Sequence, residues 1–211
     1  MNLSFEVVDA QPEPYAFTPT ITLKLKVTEA AGLPVHAIAL KCQIRIEPQR
    51  RKYEPVEAER LYEIFGDTQR WGDSVRPFLW THVATMVTAF TGETIVDLPV
   101  ECTYDFEVSG TKYLHALEGG DIPLVLLFNG TAFGKSEAGF SVEPVAWHEE
   151  ATYRLPVKVW RDVMDIYFPN SGWLRVDRDT IDALTRFKAK RALPTWDHTV
   201  AQLLKEAGEE S

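Results

Sequence analysis

The chain has 211 residues, 45% of them hydrophobic, with six tryptophans, enough to bury a core of ordinary size as one domain or two small ones. Its formal charge of −9 and sequence pI near 5.1 exclude a general nucleic-acid binder, which needs a net basic surface to neutralise phosphate. Neither a basic, apolar leader at the N-terminus nor any run long enough to cross a bilayer is present, so a cytoplasmic location is expected.

Taken in order, Leu3, Phe5 and Val7 open a short strand, and Pro12 and Pro14 mark a loop. Over 17–28, Ile21, Leu23, Leu25 and Val27 alternate with Thr22, Lys24, Lys26 and Thr28. After a turn at Gly32, residues 36–47 alternate again, with Ile38, Leu40, Cys42, Ile44 and Ile46 on one face. The simplest pairing of these two runs is an antiparallel hairpin. Residues 54–65 read as an amphipathic helix ended by Gly66.

The segment 77–90 predicts a second helix, because Leu79, Val83, Met86, Val87 and Phe90 recur every three to four residues behind Pro77, with Gly92 as its stop. A strand follows over 94–108, its apolar face Val96, Leu98, Val100, Cys102, Tyr104, Phe106 and Val108, its other face rich in Asp and Glu. The cations on the outer faces of the first two alternating runs, Lys24, Lys26, Lys41 and Arg45, are opposite in sign to that acidic face, so cross-strand pairing is expected where they adjoin.

Residues 112–117 can form one or two helical turns. The unbroken apolar run within 122–133 fits a strand buried on both faces. A hairpin is expected from 140–147 and 151–155, then a strongly amphipathic helix over 157–168 stopped at Gly172, and two capped helices, 180–191 and 196–207. The whole predicts an α+β protein, antiparallel sheet with packed helices. Both halves, 1–108 and 109–211, read as strands, helix, glycine stop and extended segment, the pattern of a tandem duplication.

Two resemblances add to this. The order of strands, helix, Gly172 stop, extended link and last helix, with 77–87 as the counterpart in the first half, resembles the SecB-like export-chaperone fold. The segments Cys42–Tyr53, Pro77–Val83, Asp97–Glu107 and Arg186–Trp196 resemble a mainly actinobacterial family of unknown function that looks like one encoded beside uptake nickel–iron hydrogenases. That resemblance implies an accessory or assembly role and assigns no active residue.

Individual motifs carry no catalytic constellation. Gly130 to Ser136 imitates a phosphate-binding loop but has three residues between its glycines where such a loop has four, and a hairpin turn accounts for them. Cys42 and Cys102 read as reduced core residues, and no cofactor or metal is expected because no ligand spacing fits. The expectation is a non-enzymatic protein-binding protein, its partner a hydrogenase subunit or an unfolded polypeptide. Candidate contact residues are Trp71, Trp147, Trp173 and Trp196 with the basic run Arg50, Arg51 and Lys52. The competing expectation is a small-molecule or metal pocket, in an enzymatic or binding domain, between sheet and helices and lined by His82, Cys102 and His115.

Overall fold

The structure is a computed structural model, described over residues 1–103, 108–136, 139–171 and 174–209. It divides into two compact units, Met1–Trp173 and Leu174–Ser211. The chain is α+β, with antiparallel sheets and helices, as its sequence patterns imply.

The first unit is built on two sheets. Strands β1 (Leu3–Pro12) and β2 (Thr20–Glu29) form a hairpin, and β5 (Glu93–Glu101) adds to the other side of β2, giving a smaller sheet of order β1-β2-β5. The larger sheet is centred on β3 (Val35–Ile46) and the 16-residue β6 (Asp121–Ser136), with β4 (Phe78–Val87) beyond β3. Two short strands, β7 (Gly139–Pro144) and β8 (Glu150–Pro156), lie end to end along the far side of β6, against Thr131–Ser136 and Asp121–Leu127 respectively. The hairpin expected between β7 and β8 is therefore replaced by one interrupted strand.

Apolar residues at every second position explain how the sheets meet. Leu23, Leu25 and Val27 of β2, Leu98 and Val100 of β5, Ile38, Leu40, Cys42 and Ile44 of β3, and Leu124, Leu126 and Phe128 of β6 are buried in a single core. Phe5 of β1 stacks on Phe128 of β6 with ring centroids 4.4 Å apart, so the two sheets pack face to face. β2 and β3 do not pair, contrary to expectation. Each has one apolar face, and the chain turns at Gly32 (φ +70°) so that those faces oppose each other across the core.

The segment 77–90 is a third correction, with Phe78–Val87 forming strand β4 where a helix was expected. Its β-branched and aromatic content (Phe78, Trp80, Thr81, Val83, Thr85, Val87) favours a pleated surface, and the apolar residues that would share one helical stripe divide in the strand, Val83 and Val87 facing the core and Leu79 and Met86 facing outward. The matching order of elements in the two halves is lost with that helix, as is the first-half counterpart of the SecB-like pattern. Strands from both halves, β3 and β6, share the larger sheet.

The charge expectation for β5 holds for Lys24, whereas Lys26 pairs with Glu6 of β1, and Lys41 and Arg45 lie on β3 in the other sheet. Lys24 lies opposite Asp97 in the register and reaches it at 2.7 Å. Tyr104 and Phe106, expected to extend this strand, lie outside the described residues. Helices α1 (Pro55–Arg60), α2 (Tyr62–Phe65), α3 (Trp71–Ser74) and α4 (Ser109–Ala116) fill the connections around Tyr113, and α5 (Val157–Tyr167) buries Val157, Trp160, Val163 and Met164. Gly66 ends α2 at φ +71°, as its position implied. The second unit is a pair of helices, α6 (Arg178–Lys190) and α7 (Trp196–Ala207). α7 is capped at Thr195, whose hydroxyl accepts from His198 N–H, and an Arg191–Glu206 ion pair joins the two.

Candidate functional site

The outer faces of the two sheets differ in kind. On the smaller sheet the cations are matched: Lys24 pairs with Asp97 and Lys26 with Glu6 at 2.9 Å, an arrangement that water solvates well. On the larger sheet, the residues that alternate with the core positions of β3 are Ala37, Ala39, Lys41, Gln43 and Arg45. Register places Met86, Ala39, Thr131 and Pro144 in one row across β4, β3, β6 and β7, with Ala37, Phe133 and Val142 in the row above. Phe140 lies beyond them and stacks on Phe133 with centroids 6.3 Å apart.

This end of the face is exposed and apolar, with Met86 59%, Val142 56% and Phe140 71% accessible. Below it the rows turn polar and basic: Ala84, Lys41 and Asn129; His82, Gln43, Leu127 and Glu150; Leu79, Arg45, Val125 and Thr152; then Arg154. An uncovered face with a hydrophobic end and a basic end can bind a polypeptide by apolar contact and charge together.

The residues singled out from sequence are distributed differently. Trp147 is 92% exposed in the break between β7 and β8, and Trp196 is half exposed on α7 with the Lys188 ammonium 5.9 Å from its ring. Trp173 lies outside the described residues. Trp71 is an internal wedge: its ring packs edge-on against Tyr53 and Phe65, and its Nε1 donates to Gly66 O at 3.0 Å.

The basic run is equally divided. Arg50 pairs with Glu47 at 2.7 Å, Lys52 is exposed, and Arg51 is buried. The Arg51 guanidinium pairs with Glu57 and donates from Nη1 to Asp121 O at 2.9 Å, above the Tyr53 ring. Glu57 also accepts from the backbone N–H groups of Glu54 and Glu118, so its charge is fully engaged. Burial, then the neighbouring Tyr113, push the Tyr53 phenol up, and burial pushes Tyr113 up to about 12. Their hydroxyls, 2.9 Å apart, stay protonated and hold this end of the core.

A cleft of about 650 Å³ opens beside the pair, lined by Arg50, Arg51, Lys52, Gly120 and Arg154 among others. The three alternative pocket liners do not converge. His82 is exposed on β4, while Cys102 is buried at the end of β5, where burial raises its thiol to about 12. His115 lines a separate depression with Arg60, Trp160 and Arg161. Burial and those two arginines hold the His115 imidazole below its usual pKa. Among the described residues no three His, Cys, Asp or Glu side chains are grouped to hold a metal. Glycines 130 and 134 lie inside β6, not in the turn expected for them.

The outer face of the larger sheet was missed as a unit in the sequence because its members come from five strands and the helical reading of β4 scattered them. The outward placement of Lys41, Gln43 and Arg45 was legible from the alternation in 36–47, and that of Phe133 and Lys135 from their alternation with core positions.

No curated protein matches the chain. Among solved structures, the β-glucosidase 3B from Thermotoga neapolitana in complex with α-D-glucose is similar over 72% of this chain and 17% of its own, at 12% identity and a TM-score of 0.22. A likeness that slight supports neither fold nor function. The chain spans about a sixth of that enzyme's length. The family model described as a family of unknown function, DUF6084, matches residues 1–211, and the chain belongs to that family.

Proposed function

We propose that this protein is a non-enzymatic accessory factor that binds another protein through the outer face of the larger sheet. The observation that carries the reading is the exposed apolar end formed by Met86, Phe133, Phe140 and Val142, on a sheet whose opposite face already fills the core. A sheet face left uncovered, with its aromatic side chains presented to water, is stabilised when a partner removes them from it. The sequence resemblance to a family encoded beside nickel–iron hydrogenases makes cytoplasmic assembly of such an enzyme the setting to test first, with chaperone-like holding of unfolded segments as its competitor.

The test is tagged co-purification from the native host with the parent protein and with Phe140→Asp/Val142→Asp. One folded partner in fixed ratio, lost with the variant, is the expected result; a hydrogenase subunit would identify the assembly role. A broad set of unfolded chains would identify the holding role. Identical recovery with both proteins, or none, removes the reading.

A second reading rests on a separate observation. Arg51 Nε is buried without a hydrogen-bond partner among the described residues, beside the cleft that Lys52 and Arg154 also line, an arrangement suited to a small anion. Thermal stabilisation by phosphate or citrate, absent in Arg154→Ala, would support it.

A further inference from the structure

We infer that the partner of this face is an acidic polypeptide segment, one that sets apolar side chains beside a cluster of Asp or Glu. The inference rests on the protein-binding reading above and adds the chemistry of the partner. Its observation is the charge pattern of the face. The outward positions of the larger sheet hold four cations, Lys41, Arg45, Lys135 and Arg154, against two carboxylates, Glu150 and Asp121, the latter at the start of β6, among the described residues. None of the four forms an ion pair within the described chain.

Their cross-strand neighbours are neutral. Lys41 lies between Ala84 and Asn129, and Arg45 between Leu79 and Val125. The contrast with the smaller sheet is informative, because there Lys24 and Lys26 each face a carboxylate from the adjacent strand. Unmatched cations gathered on one face are unexpected in a chain of net charge −9. Such a local field steers an acidic partner to this face while the rest of the molecule repels it.

The geometry also orders the partner. Its apolar residues cover Met86, Phe133, Val142 and Phe140, and its carboxylates descend over Lys41 and Arg45 toward Arg154. Apolar burial supplies most of the affinity, and charge supplies orientation and choice of partner. A nucleic-acid strand would meet the same cations and aromatic rings, but the overall charge of −9 opposes it.

The experiment is selection of a random 16-residue peptide library, displayed on phage, against the full-length protein. Selected peptides are then resynthesised with a fluorophore and titrated by anisotropy. Parent protein, Lys41→Glu/Arg45→Glu and Phe140→Asp/Val142→Asp are compared, each first shown to be folded by circular dichroism and thermal melting.

The expected result is enrichment of Asp and Glu beside apolar residues, with binding weakened at least about tenfold by the charge reversal and further by raising salt. Peptides without acidic excess that bind the charge-reversed protein equally well, but not Phe140→Asp/Val142→Asp, overturn the acidic partner and leave the docking face standing. Failure to enrich any peptide over the Phe140→Asp/Val142→Asp control overturns both. Tighter binding of a labelled 20-nucleotide oligothymidylate than of any selected peptide, or a dimer in sedimentation that the charge reversal abolishes, also overturns the inference by placing a different occupant on the face.

Discussion

Gly130 shows how much one position inside a strand can decide. Its φ is +153°, and a side-chain carbon there would stand 2.2 Å from the carbonyl oxygen of Ala39 on the neighbouring strand. Because that obstacle is backbone, Gly130→Ala is expected to cost about 2 kcal/mol or more in urea unfolding. The Arg51–Glu57 pair is a second such position: side-chain exposures of 8% and 2% mean that removing one partner strands a buried charge. Arg51→Met is expected to destabilise by about 3–5 kcal/mol, and Arg51→Met/Glu57→Met to recover most of it. In sequence, Arg51 was one of three adjacent basic residues, and nothing in that run distinguished the buried cation from the exposed Lys52.

His115 makes stability depend on pH in a defined direction. Partial desolvation of this otherwise exposed imidazole, then Arg60 and Arg161, lower its pKa in the folded protein, so the unfolded chain binds the proton more readily and stability falls as pH drops through about 6.5 toward the folded value. His115→Asn is expected to flatten that part of a plot of unfolding midpoint against pH between 7 and 5; an unchanged slope would assign the effect elsewhere.

At the scale of elements, β4 carries the sharpest prediction. An antiparallel edge strand hydrogen-bonds every second amide to its neighbour, whereas a helix protects nearly all after the first turn. Hydrogen exchange over Phe78–Val87 is therefore expected to alternate, with the amides that face β3 slow and the others fast; uniform protection would restore the helix. The apolar spacing of this segment fits a helix better than a strand, and pairing with β3 overrides it, with Val83 and Val87 turned to the core and Leu79 and Met86 to the other face. Strand β2 was the opposite case, since its strict alternation specified its buried face, while the pairing of Lys24 with Asp97 came from the register with β5. The interrupted strand formed by β7 and β8 was hidden for another reason: their shared neighbour, β6, is long enough to pair with both, and pairing partners leave no local mark.

For the molecule as a whole, the division at 173/174 assigns the sandwich core to the first unit, while α6 contributes no buried residue. A Met1–Trp173 fragment is expected to unfold cooperatively with a midpoint within a few degrees of the full chain, measured by circular dichroism; loss of cooperativity would make α6 and α7 part of the core. Sequence alone determined the fold class, the buried faces of β2, β3 and β5, the long amphipathic α5, the capped α7 and the core placement of both cysteines; the burial on both faces expected of β6 holds over 122–126 only. All of these follow from periodicity and capping, which are properties of neighbours along the chain. The tertiary structure decided which strands share a sheet, that β4 is a strand, that Trp71 and Arg51 are internal, and that Phe140, Val142, Lys41 and Arg45 lie on one face. Those outcomes depend on apolar faces meeting across the core and on residues remote in sequence falling into register, and local pattern leaves both undetermined.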